Sequence, residues 1–233
     1  ITVFYAFSTW AIVQFYGPAA VQPTAEAGLE AFYFAATDTI LGPWASQTMN
    51  ILLITSLFAC ILSFHNTLNR YFFALGREGL AFKLLGKVHP MHGSPYVAGM
   101  LQSAIAAIVL VLFILAGADP YTVVFSWMSA LAVIGILTVQ ALVSVAIILF
   151  FRKVKTSHGA WTTMIAPALG LIGLLGALGL VIANLSLLSG SESLIVKSFP
   201  TLIVLVGLLG AAFAMQIKKA KPELYASLGK AFE

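Results

Sequence analysis

The stretch "SLFACILSFHNTLNRYFFALGREGLAFKLLGKVHPMHGSPYVAG", residues 56–99, decides how this chain is read. It opens apolar and uncharged. It then brings His65, Asn66, Asn69 and Arg70 close together, and goes on to Arg77, Lys83 and Lys87 among glycines and prolines. Groups of that polarity are costly in hydrocarbon. A helix passing from lipid into water explains their order: apolar, then polar, then basic.

Composition extends that reading to the whole chain. Of 233 residues, 61% are hydrophobic and 9% charged, where soluble domains carry about 25% charged residues. So little charge cannot cover a surface facing water, so the lipid bilayer is the expected solvent and partner. The net charge of +4 is small, and nucleic acid is not an expected partner. The single cysteine, Cys60, excludes an internal disulfide framework.

A bilayer core of roughly 30 Å takes about 20 apolar residues per helix. Six spans are predicted, at about 2–16, 43–75, 96–116, 121–151, 164–188 and 199–217. The apolar runs are continuous rather than alternating, which excludes a transmembrane barrel. Gly17-Pro18 ends the first span and Gly42-Pro43 opens the second, proline being tolerated in a first helical turn. Asp119 is placed to cap the fourth helix, with Pro120 opening it. The chain begins at Ile1 inside an apolar run without a basic leader, which reads as a span of a longer protein entered part-way.

Basic residues set the orientation. Arg70, Arg77, Lys83 and Lys87 follow the second span, Arg152, Lys153 and Lys155 the fourth, and Lys218, Lys219, Lys221 and Lys230 the sixth. Only Lys197 falls on the opposite side. By the positive-inside rule the loop 76–95 and the tail 218–233 are cytoplasmic and the loop 18–42 is extracellular. That outer loop is amphipathic and is expected to be helical, and 80–86 is its expected inner counterpart.

On a helix, Ser56, Cys60, Ser63 and Thr67 share one face, with Asn66, Asn69 and Arg70 at its lower end. Two readings stand open: a polar wall along a substrate path, or small and hydroxylated residues that let helices pack closely. Counting about 1.5 Å per residue from Trp44 puts Phe64 roughly 30 Å along the axis. Arg70 then belongs to the interface, while Ser63, Phe64 and Asn66 suit either reading. In the fourth span Ser126, Ser129, Thr138 and Gln140 interrupt the apolar run, and Trp127 suits an anchor or an aromatic gate. Gly170, Gly173, Gly176 and Gly179 form a small-residue groove for a neighbouring helix, and a homodimer is left open as a partner. His89 and His92 are three apart, but Pro90 breaks the helix that would align them, and no metal site is expected. No nucleophile with a base appears, so an enzyme is not expected.

The combination of "NRYFFALGREG", "LGKVHP" and "GSPYVAG" within 56–99 resembles the eighth span and following cytoplasmic loop of amino acid permeases of the amino acid–polyamine–organocation (APC) superfamily. Residues 116–153, "AGADPYTVVFSWMSALAVIGILTVQALVSVAIILFFRK", are similar to the tenth span of that family. The resemblance implies an all-α integral membrane protein. Its six transmembrane helices would be helices seven to twelve, the C-terminal half of a leucine-transporter-like inverted-repeat fold. It implies secondary active transport of amino acids or related amines, by proton symport or antiport. It requires no resident cofactor, only a coupling proton or an exchanged substrate, and it makes the N-terminal half of the same protein a partner. The substrate-facing aromatic of the eighth span matches Phe64, beside Ser63, and Ser126, Trp127 and Ser129 fall near the site from the tenth. The family's clamping segments in helices one and six are not matched, so this chain holds part of a site. A transport-inactive membrane sensor or partner domain of the same fold is the alternative.

Overall fold

The computed structural model describes residues 1–154 and 159–228. Among the described residues all regular structure is helical, as backbone groups in lipid require when no water is there to satisfy them. Among the described residues five helices are long and apolar enough to cross a membrane: Pro43–Arg77, Tyr96–Leu115, Pro120–Lys153, Trp161–Ala183 and Phe199–Ala220. The protein is an all-α, multi-pass membrane protein. The first expected span forms helix α1 (Thr2–Tyr16), whose 15 residues fall short of the ~20 a bilayer core takes. Lys155, Lys230 and the last residues of the expected tail, 229–233, lie outside the described residues.

The chain divides into two compact units, Ile1–Tyr71 and Phe72–Glu233. In the first, α1 ends at Gly17, whose φ of +83° suits glycine. The segment 18–42 then forms α2 (Val21–Gly28), a 3-10 turn (Leu29–Ala31) and α3 (Phe32–Leu41). The ring of Tyr16 stacks on buried Phe32 at 4.7 Å, and its hydroxyl donates to the Phe32 carbonyl at 2.8 Å. That contact ties α3 to the end of α1. Helix α4 (Pro43–Arg77) follows Gly42 and runs for 35 residues, about 50 Å at 1.5 Å per residue, and its last turns contribute to the second unit.

In that unit the end of α4 meets the 3-10 turn Lys83–Gly86 at very short range. A Cβ on Gly76 would lie 2.6 Å from the Gly86 nitrogen and 2.8 Å from Leu85 Cβ, so the two backbones touch. The segment 80–86 is therefore shorter and tighter than the amphipathic element expected there, with Leu85 buried under it. Helix α5 (Tyr96–Leu115) leads to Asp119, a π-helical turn (Pro120–Phe125) and α6 (Ser126–Lys153). A second π-helical turn (Trp161–Ile165) opens α7 (Ala166–Ala183). The apolar run expected as one span over 164–188 is divided at Asn184. There the side-chain amide donates to the Leu180 carbonyl at 2.9 Å, local competition with the helix ladder that asparagine favours.

The short helices α8 (Leu185–Ser189) and α9 (Leu194–Lys197) follow, then α10 (Phe199–Ala220) and α11 (Pro222–Ser227). Leu185, Val196 and Phe199 bury themselves against Ala130 and Ile134 of α6, with Trp127 and Ile203 packed beside them. The loop between the last two spans is thereby folded onto the start of α6. Ser193 caps α9 by accepting from the Ile195 N–H at 3.3 Å. Lys197 pairs with Glu192 at 2.6 Å, and hydrogen bonding from Lys197 lowers the Glu192 carboxyl below its ordinary range.

Candidate functional site

On α4 the candidate residues lie bare. Ser56, Cys60, Ser63, Phe64, Asn66 and Thr67 are all exposed, Phe64 at 66%. Thr67 donates back to the Ser63 carbonyl at 3.0 Å, a bond within the helix. The hydroxyls of Ser56 and Ser63 have no hydrogen-bond partner among the described residues. Arg70 is exposed, but its neighbour Asn69 is buried, and Asn69 Oδ1 has no partner among the described residues.

The residues on α6 are set differently. Asp119 Oδ1 accepts from the backbone N–H groups of Tyr121 and Thr122, at 3.0 and 2.7 Å, and from the Thr122 hydroxyl at 2.8 Å. These bonds, the Thr122 N–H foremost, lower its carboxyl below the ordinary value of 3.8. The helix therefore starts under a firm cap. In the π-helical turn the Ser126 hydroxyl donates five residues back, to the Tyr121 carbonyl at 3.0 Å. Ser126, Trp127 and Ser129 come at the change from π- to α-helix and are all half-buried. Trp127 packs on the α6–loop core, while its indole N–H is buried without a partner among the described residues. π-helical turns are often found at functional sites. The structure thus groups Ser126, Trp127 and Ser129 in the second unit, and the six α4 residues in the first.

Other features escape the sequence pattern. An open cleft of about 440 Å³ lies between α3 and the start of α4, with Phe34, Asp38, Gln47 and Asn50 among its walls. Its sequence signal is faint: Asp38 and Ser46 sit on either side of the Gly42-Pro43 reversal, which makes them spatial neighbours. The rings of His89 and His92, expected to be misaligned, stack at 4.8 Å. A loop closed by Gly93 N–H to the His89 carbonyl at 2.9 Å does what a helix could not. Among the described residues no group of three metal-ligating side chains forms. Gly170, Gly173, Gly176 and Gly179 face open space, with no atom of the described residues within 4 Å of an added Cβ.

The family of amino acid permeases matches residues 1–215. The chain belongs to the amino acid permease family. That membership points to a transporter and away from an enzyme. The permease chain is similar to the amino-acid permease RocE of Bacillus subtilis (strain 168), with 29% identity over 158 residues. The alignment covers 65% of this chain and 33% of that protein, so the chain spans about a third of the length of this curated relative. No solved structure matches the permease chain.

Proposed function

We propose that the intact protein moves amino acids or related amines across the cytoplasmic membrane as a secondary active transporter, by proton symport or by antiport. The observation that carries this is the permease family match over residues 1–215. In this reading the chain supplies helices seven to twelve of a leucine-transporter-like fold, with its C-terminus in the cytoplasm, and the N-terminal half of the protein supplies the rest of the site. In this reading Ser56, Cys60, Ser63, Phe64, Asn66 and Thr67 belong to the substrate path, and so do Ser126, Trp127 and Ser129. Two observations support that assignment: the α4 residues are exposed, and the indole N–H of Trp127 lacks a partner among the described residues. A buried donor left unpaired is costly, and a substrate acceptor or a water would satisfy it.

Reconstitution of the intact protein in proteoliposomes tests the reading. Labelled amino acids should accumulate under an inward proton gradient or in exchange for internal amino acid. Abolition by a protonophore identifies symport, and dependence on internal substrate identifies antiport. Ligand binding without flux under either condition overturns transport in favour of the sensor domain.

A further inference from the structure

We propose that the cleft between α3 and the start of α4 is a capture site for the ammonium group of an amino acid or amine, on the outer side of the protein. The inference rests on the transport reading for its topology and for the identity of the ligand. Its volume of about 440 Å³ lies within the roughly 300–1,000 Å³ of small-molecule sites. Asp38 provides its charge. Ser46 Oγ donates to Asp38 Oδ1 at 2.8 Å, which orients the carboxylate and leaves the other oxygen open.

No protein cation answers that charge within the unit. The basic side chains in residues 1–71 are His65 and Arg70, about 29 and 36 Å farther along α4 from Ser46 at 1.5 Å per residue. Gln47 and Asn50, one turn apart on α4, add amide oxygens that accept further N–H groups and amide N–H groups suited to a carboxylate. Phe34 adds an aromatic wall, and rings attract cations over their faces. A bare metal ion is a poorer fit. Calcium takes six to eight oxygens in a cage, whereas this cleft is open and holds a single carboxylate. Because Asp38 is exposed, capture is weak, as exposed ion pairs are.

The test is protection of a cysteine placed in the cleft. In the intact protein in whole cells, Ala35→Cys is labelled from outside with an impermeant maleimide, and labelling at that position is read by mass spectrometry. Propylammonium chloride should slow the reaction. Asp38→Asn keeps the shape and should raise the half-protecting concentration about two- to fivefold, while Glu26→Gln on α2 should leave it unchanged. Equal protection by sodium chloride or tetramethylammonium chloride reveals screening alone and overturns the site. So does a shift below twofold for Asp38→Asn, or a cysteine reached only from inside. Amino acid flux measured on the same variants separates the two readings. Protection without any flux upholds the site and removes transport, whereas flux with no protection removes the site alone.

Discussion

Helices α4 and α6 are both long, apolar and interrupted by serines, yet one is bare and the other is packed. Between residues 46 and 68 no side chain of α4 is buried. Helix α6 buries Ala130, Ile134 and Ala141, the first two beneath the folded loop of α8 and α9. The same residue types therefore answer to different demands. On α6 a side chain is constrained by atoms already around it, and its loss should register as instability. On α4 a side chain is available to something outside the chain's own packing, and its loss should register in transport while the fold stands.

Substitutions can break or sharpen that contrast. The largest effect is expected for Ile134→Ala, since Ile134 is 1% exposed; truncation in a packed core costs about 2–5 kcal/mol. Thermal unfolding of the purified protein in detergent checks it, and an unmoved midpoint would dissolve the distinction between the helices. Next comes Gly76→Ala, where the new methyl meets backbone at 2.6 Å; overpacking of this kind costs about 1–3 kcal/mol. Gly173→Ala, with open space around it, is the matched control and should be neutral or slightly stabilising.

Asp119→Ala should lower the unfolding midpoint by less than Gly76→Ala. The Asp119 carboxyl is lowered from 3.8, so its contribution is present above that value and fades as pH falls through the lowered one. The gap between the variant and the unaltered protein should therefore close on acidification from neutral pH to below 3.8. A gap that persists in acid would show that charge is not what makes the cap. The smallest stability effect is expected for Phe64→Ala, within about 0.5 kcal/mol as for exposed sites generally. The same variant should raise the half-saturation concentration for uptake. Unaltered uptake would remove Phe64 from the path, and a large loss of stability would contradict its exposure.

Features with short-range causes were legible in the sequence. Asp119 and Pro120 announced the start of a helix, and Gly42-Pro43 announced another, because a cap or a proline acts within one turn. The serines of α4 and α6 stood out as polar interruptions in apolar runs, whereas Phe64 was singled out by the resemblance to the eighth span of amino acid permeases. Contacts made at a distance along the chain were not legible. Nothing in the spacing of Gly76 and Gly86 says that two backbones touch, and Asn184 looked like part of a span until its amide was seen competing for the Leu180 carbonyl. The stacking of the His89 and His92 rings was not legible either, because a loop can align rings that a broken helix cannot. The Asp38 cleft was missed because its walls come from two helices whose polar residues look unremarkable when read singly.

The π-helical turn at Pro120–Phe125 holds one residue more than an α-helix of the same rise. One residue corresponds to about 100° of rotation around a helix axis. Everything from Ser126 onward is thus clocked by that amount relative to an uninterrupted helix begun at Pro120, and the turn decides that Trp127 lies against the Leu185–Phe199 cluster. A single deletion within the turn would act as a rotary adjustment, swapping the whole column of side chains that α6 presents while altering none of them.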